Sequence, residues 1–582
     1  MKLKKEKIKS LENQAQEIRD EIIESISKSG GHLSSNLGMV ELTIMIHEVF
    51  DLPNDTLILD VSHQCYAHKL LSGRKLDDLG HLDKISGFMN PNESAYDAYS
   101  LGHSSTSISL AVGEAIKCQK QGIQKNIIAV IGDASLNNGL ALDALNFLNE
   151  HKDLKVIVIV NDNNMSISPT AGGITKSLNS VRASRKKALI YRITPRFMHP
   201  VWNWFKRVIK GIFYKKNFFD AYDIKHFVGI DGHDFKELNK YLTFAKNYNE
   251  SVILHINTIK GKGYKYAEND EIGIWHSVGP FDIEAGEFLT KVETVGEAIS
   301  NELIKINDEF HNIKVITAAM SLGNGINSFK EKYPDDFIDV GIGEENACVM
   351  AAGMASQDII PIVFIYSTFL QRAYDEILSE IARCHKKVIF MIDRAGIVSY
   401  DGDHHQGIFD VSFLSPLPNM TILAPASIEE ATALLRYALT IDGPVAIRYP
   451  KQLPHQENYE FTPRWQEIYP KNNTNIITYN YGVFECKESF KNMNVGLINA
   501  SIIKPIDVDL IKSLENKKVI IYEEVNDQGG LFDLINHYIK LNGINIDLEQ
   551  IAIVNTYLES GSSEELKKKY HLNIDELKRK IK

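Results

Sequence analysis

Two short polar turns about thirty residues apart constrain this chain more than any other feature: Ile131-Gly132-Asp133-Ala134 and Asn161-Asp162-Asn163-Asn164-Met165. Each closes an apolar run, residues 126–131 in one case and 156–160 in the other, with a helix-like segment between them. That order is a βαβ unit, whose strand ends open onto a ligand crevice. An aspartate at one strand end and an asparagine at the next can hold a single hard cation by oxygen ligands. Mg2+ bound in that way keeps positions open for phosphate oxygens. An ordinary βαβ unit with a polar loop is the other reading of the same residues.

At 582 residues the chain is too long for one core and should form about three or four domains. Hydrophobic content of 44% and charged content of 24% are ordinary for a globular enzyme. A net charge of -11 argues against general nucleic-acid binding, so any phosphate site has to be a local basic pocket. Cys65, Cys118, Cys348, Cys384 and Cys486 lack metal-ligand spacing, and so sparse a set fits a reducing cytoplasm. The N-terminus runs into a charged helical pattern without an apolar signal core, and no apolar run approaches bilayer-spanning length. The expectation is a cytoplasmic protein with no stable membrane insertion.

Residues 8–50 read as two helices around Ser27-Lys-Ser-Gly-Gly-His-Leu-Ser-Ser-Asn-Leu-Gly38. Glycines just before His32, and again at Gly38, suit a loop that brings an imidazole close to a ligand. A buried structural histidine is the plainer reading of His32. A short apolar run then ends in His63 and His68. Next, Gly102, His103 and Ser104 precede an apolar helix, whose start offers N–H groups and hydroxyls to an anion. Three histidine loops and a Gly-Asp turn in one α/β segment exceed what packing alone requires.

With these loops the chain resembles the 1-deoxy-D-xylulose-5-phosphate synthase family, a branch of the transketolase-like thiamine diphosphate enzymes. The resemblance extends to Gly229-Ile-Asp-Gly-His-Asp234, Thr258-Ile-Lys-Gly-Lys-Gly-Tyr-Lys-Tyr-Ala-Glu268, Trp275-His276, Tyr366-Ser-Thr-Phe-Leu-Gln-Arg-Ala-Tyr374 and Asp393-Arg-Ala-Gly396. It covers nearly the whole chain and is interrupted at about residues 169–220. It departs at Ala134, where the family carries glycine, and at Glu345 and Asn346, where it carries glutamine and histidine.

The resemblance implies three α/β domains of transketolase type, with mostly parallel sheets and helices on both faces. They would cover residues 1–290, 291–455 and 456–582, with a basic flexible insert at about 170–220. It implies thiamine diphosphate and Mg2+ as cofactors, pyruvate and D-glyceraldehyde 3-phosphate as substrates, and a homodimer. Asp133 and Asn163 become the Mg2+ ligands, with the Met165 carbonyl as a third. His63, Gly102, His103, Ser104, Ala134, Ser135, Asn163, Tyr264 and Phe369 fall at positions around the cofactor. Glu344 falls where a carboxyl group drives the aminopyrimidine toward its imino tautomer. His32, Asp401 and His405 fall where protons are handled, and Tyr366, Arg394 and Arg448 where the acceptor's phosphate is held. Taken singly, either arginine reads more simply as an ion-pair partner.

Residues 176–216 are rich in Lys and Arg, contain no Asp or Glu, and interleave Trp202, Trp204, Phe205, Phe213 and Tyr214. A mobile flap is the simpler reading, and a membrane-surface helix the other. Strand-like runs after residue 290 make a second parallel α/β domain, and a polar stretch at residues 454–475 reads as a linker. The last domain carries no constellation that looks catalytic, so a scaffold or dimer contact is its default role. A transketolase-type ketol transferase and a cofactor-binding paralogue with lost or altered turnover are the alternative functions.

Overall fold

Leu11, Ala15, Ile18, Ile22 and Ile26 recur every three or four residues and form the buried stripe of helix α1 (Lys5–Ser29). It packs against α2 (Ser34–Val49), a helix apolar nearly all round and therefore buried nearly all round. The computed structural model to which these helices belong describes residues 3–163, 217–289, 293–355 and 359–581. Met165 and residues 176–216 lie outside the described residues. The chain forms two compact units, Met1–Leu79 with Ile85–Leu289, and Gly80–Lys84 with Thr290–Lys582.

The first unit is built on five parallel strands, β1 (Thr56–Leu59), β2 (Ile127–Gly132), β3 (Ile157–Asp162), β4 (Lys225–Asp231) and β5 (Val252–Asn257), in the spatial order β1-β2-β3-β5-β4. The central strands are apolar without alternation because helices such as α3 (Ser107–Gln121) and α4 (Gly139–Glu150) cover them. Register between β2 and β3 sets Gly132 opposite Asn161, so both polar turns leave the same end of the sheet. β4 runs into the Gly229–Asp234 motif.

The second unit carries strands β6 (Ile313–Thr317), β7 (Phe337–Asp339), β8 (Ile360–Tyr366), β9 (Ile389–Asp393), β10 (Thr421–Leu423), β11 (Val445–Arg448), β12 (Gln466–Tyr469), β13 (Thr474–Thr478), β14 (Gly496–Asn499), β15 (Ile502–Lys504), β16 (Lys518–Asn526) and β17 (Asp547–Ile553). They form one sheet ordered β7-β6-β8-β9-β11-β10-β15 and another ordered β12-β14-β13-β16-β17. Among the described residues of these two sheets only β10–β15 and β12–β14 pair antiparallel, so the fold is α/β with mostly parallel sheets. Two features depart from the sequence reading. The stretch expected as a linker holds β12 and the start of β13. β12 reads as a linker because it is a polar edge strand, anchored where the Trp465 indole N–H donates to the Ile502 carbonyl at 2.7 Å. β15 follows β14 in the chain yet joins the other sheet, beside β10; three residues are too few to show alternation.

Candidate active site

Asp133 follows β2 directly, is buried, and donates its backbone N–H to the Asn161 carbonyl at 3.1 Å. Ala134 has φ −69° and ψ −43°, a conformation open to any residue, so the absence of glycine there strains nothing. Asn163 ends the described part of the second turn. The turn is held from beneath: His255 Nδ1 accepts the Gly229 N–H at 3.2 Å, which leaves Nε2–H to meet the Asp162 carboxylate at 2.8 Å.

His32 leaves α1 on the two-residue strand Gly31–His32, paired with Ser277–Val278. Its ring lies 5.0 Å from that of His63, 5.7 Å from that of His276 and 5.6 Å from that of Phe88. The Ser35 hydroxyl is 3.2 Å from His63 Nε2 and 3.4 Å from His276 Nδ1. Burial, and then the charge of Lys260, hold His276 well below the ordinary histidine range, so it is neutral near pH 7. Asn36 fixes this group: its amide donates to the His32 and His63 carbonyls at 2.6 and 2.8 Å and accepts the Tyr66 N–H at 2.8 Å. Asp60, after β1, accepts the Ser105 and Ser107 N–H groups at 2.8 and 3.1 Å, pinning the turn that carries Gly102, His103 and Ser104. The Ser105 hydroxyl donates to the Ser135 carbonyl at 2.8 Å, tying that turn to the one after Asp133.

The loop 258–264 approaches α2 so closely that a Cβ on Gly38 would stand 2.9 Å from the Ile259 carbonyl. His233 accepts the Ile259 N–H on Nε2 at 2.9 Å and donates from Nδ1 to Glu41 at 3.0 Å. So clamped, Lys260 is buried, and burial lowers its amine to about 8 in the field of Asp270 and Asp133. Tyr264 packs among Trp275, Tyr266 and Phe281, and its hydroxyl donates to the Ile283 carbonyl at 3.0 Å.

In the second unit, Glu344 opens helix α5 (Glu344–Ala355) and is 5% exposed. Burial raises its pKa, against the charge of Arg372 3.6 Å away. Its Oε2 has no hydrogen-bond partner among the described residues. At the end of β8, Tyr366 stacks parallel to Phe369 at 5.5 Å, and Phe369 meets the His405 ring edge-on at 5.5 Å. The Arg394 guanidinium lies 4.5 Å above the Tyr366 ring and pairs with Asp393. Arg394 has φ +57°, a sparsely populated conformation held because Gly407 lies against its carbonyl, where a Cβ would come within 2.0 Å. His405 Nδ1–H donates to the Asp401 carbonyl at 2.6 Å.

Arg448 is the exception. It is 1% exposed, donates from Nε and a terminal nitrogen to Asp410 at 2.8 and 3.2 Å, and donates to the Asn480 side-chain oxygen at 2.8 Å. The structure therefore gives it a buried ion pair, while the cation in the field of Arg394, Asp401 and Asp393 is Lys451. Desolvation, and then Arg394, pull the Lys451 amine below its ordinary value.

Residues 1–258 match the family model described as 1-deoxy-D-xylulose-5-phosphate synthase, residues 292–456 the transketolase pyrimidine binding domain, and residues 465–577 the transketolase C-terminal domain. The 1-deoxy-D-xylulose-5-phosphate synthase of Clostridium tetani is 39% identical over 97% of this chain and 95% of its own length. That of Campylobacter jejuni is 38% identical over 100% of this chain and 97% of its own. The chain belongs to the 1-deoxy-D-xylulose-5-phosphate synthase family. As a member of that synthase family it is a thiamine diphosphate-dependent transferase. Among the described residues no helix is long and apolar enough to cross a membrane. Sequence reasoning about this synthase-like chain passed over Asn36, Asp60, His233, Lys260 and Lys451. Asn36, His233 and Lys260 lie within stretches already singled out, but all five act through contacts with backbone groups or charges distant in sequence.

Proposed function

We propose that the protein condenses pyruvate with D-glyceraldehyde 3-phosphate, with loss of carbon dioxide, and that thiamine diphosphate and Mg2+ serve the reaction. The observation that carries this reading is Glu344: a buried carboxyl group with one oxygen lacking a hydrogen-bond partner fits a nitrogen of the aminopyrimidine ring. Residues of the first unit, taken by themselves, suit a diphosphate and its cation. Asp133 and Asn163 offer hard oxygen ligands to a cation, and Lys260 with the Gly102–Ser104 turn offers an amine, N–H groups and a hydroxyl to a diphosphate. When bound, thiamine diphosphate supplies a nucleophilic carbon and an electron sink for decarboxylation.

The chain's own residues do the rest. Glu344, with its pKa raised, holds a proton against the ring nitrogen. His276, kept neutral, offers acceptor capacity beside His32 and His63. Arg394 and Lys451 suit the acceptor's phosphate, with Tyr366 fixing the guanidinium by stacking. His405, its Nδ1 proton held by the Asp401 carbonyl, presents Nε2 for proton transfer at the growing product. The active assembly we propose is a homodimer; exposed Val349 and Leu378 are apolar surface a second copy could cover. Incubating the protein with thiamine diphosphate, Mg2+, pyruvate and D-glyceraldehyde 3-phosphate should yield 1-deoxy-D-xylulose 5-phosphate and carbon dioxide. Consumption of xylulose 5-phosphate without release of carbon dioxide from pyruvate would refute the reading.

A further inference from the structure

The backbone of the C-terminal domain reaches the loop bearing Asp401 and His405. That loop is closed at its base by a pair of hydrogen bonds between Gly396 and Gly407, at 2.7 and 2.9 Å. Gln406, 5% exposed, grips it from inside. Its side-chain oxygen accepts the Val398 N–H at 2.9 Å, and its amide nitrogen lies 3.0, 3.1 and 3.3 Å from the carbonyls of Val398, Gly402 and Glu559. The last of these belongs to the C-terminal domain. The same segment takes two more bonds: the Tyr400 N–H donates to the Gly561 carbonyl at 2.9 Å, and the Ser563 N–H donates to the Ser399 hydroxyl at 2.9 Å. Nearer the base, Glu524, ion-paired with Lys567, accepts the Ile397 N–H at 3.4 Å.

We propose that the segment 559–563 of the C-terminal domain is a brace for the catalytic loop, and that Gln406 is the positioning residue through which it acts. The inference rests on the roles given above to Asp401 and His405. The Asp401 carbonyl fixes the proton on His405 Nδ1, so the direction of that carbonyl sets both tautomer and ring orientation. Residues on either side of Asp401 are fixed by Gln406 and by the brace. The Gln406 amide nitrogen brings two N–H donors to three carbonyls, donors that a carboxylate cannot supply.

The test compares Gln406→Glu, which keeps the shape and replaces the donors with an acceptor, with the wild-type protein carrying thiamine diphosphate and Mg2+. The expected result is a kcat/KM for D-glyceraldehyde 3-phosphate lowered up to about a hundred-fold, the scale on which a misplacement of about 1 Å costs rate. The KM for pyruvate should stay within about two-fold, and the Val398 and Tyr400 amides should exchange hydrogen faster. A role in folding alone would leave the kinetics of both substrates changed together or not at all, and either outcome overturns the proposal, as does unchanged exchange. Should Gln406→Glu fail to fold, Ser399→Ala removes one exposed bond of the brace. It should show the same split on a smaller scale, and no split refutes the idea. If the wild type forms no product from the two substrates, the functional reading fails, while the exchange comparison still decides whether the brace exists.

Discussion

Arg448 and Lys451 sit three residues apart at one strand end, and their surroundings differ in kind. Arg448 and Asp410 are each 1% exposed and joined by two hydrogen bonds, with Asn480 completing the guanidinium's shell. Replacing Arg448 with Met leaves the Asp410 carboxylate buried without its cation, which costs about 3–5 kcal/mol for a pair of this kind. The double variant Arg448→Met/Asp410→Leu removes both charges and should recover most of that loss. Lys451→Ala removes no buried partner and should leave the unfolding transition close to wild type. A charge-assisted hydrogen bond is worth about 1.5–3 kcal/mol, so its loss should raise the KM for the phosphorylated aldehyde about ten- to a hundred-and-fifty-fold. The measurements are chemical unfolding midpoints for all three variants and KM values for both substrates. Wild-type stability in Arg448→Met together with a raised aldehyde KM, and an unchanged aldehyde KM in Lys451→Ala, would reverse the assignment.

Glu344→Gln keeps the shape but not the proton chemistry, and turnover should fall by roughly 10²–10⁴-fold with the fold intact; retention of a tenth of the rate by steady-state assay would remove it from the centre. Asp133→Ala and Asn163→Ala should each abolish Mg2+-dependent thiamine diphosphate binding in calorimetry, since each removes a proposed cation ligand. Ala134→Gly should change kcat/KM little, because φ at this position is already negative; a many-fold gain would mean that the methyl group obstructs the diphosphate. Asp97 titrates in acid: burial pushes its carboxyl up, but Arg74, His68 and the Asn90 N–H together hold it well below the usual range. Because the folded pKa lies below the unfolded one, this contribution is complete above about pH 4 and is lost as pH falls further, so Asp97→Asn should flatten the acid limb of a stability–pH curve.

The parallel α/β fold was legible because buried parallel strands are long, apolar and uninterrupted, as in β2, β3, β8 and β9. Polar edge strands and three-residue strands lack that signature, which is why β12 read as a linker and β15 went unread. Candidate site residues stood out in the sequence where side-chain chemistry is concentrated in a short motif, as at Asp133, Glu344 and Arg394. It was not legible where a residue's role depends on what lies opposite. Nothing local separates Arg448 from Lys451; only the arrival of Asp410 and Asn480 beside Arg448 decides between them. Asn36 likewise looks like one polar residue in a loop until its amide is seen bridging two histidine backbones.

β15 makes the matched domain boundaries poor places to cut. A chain ending near residue 456 would carry the whole pyrimidine-binding sequence and yet lack the last strand of its sheet, leaving β10 as a bare edge open to a second molecule. Conversely, a C-terminal domain expressed alone would carry a stranded segment, Ile502–Lys504, whose partner is missing. An exchange of C-terminal domains between relatives would therefore splice a foreign strand into the recipient's neighbouring sheet. The pairing of Ile422 with Lys504 and of Leu423 with Ile502 becomes the seam at which such hybrids hold or come apart.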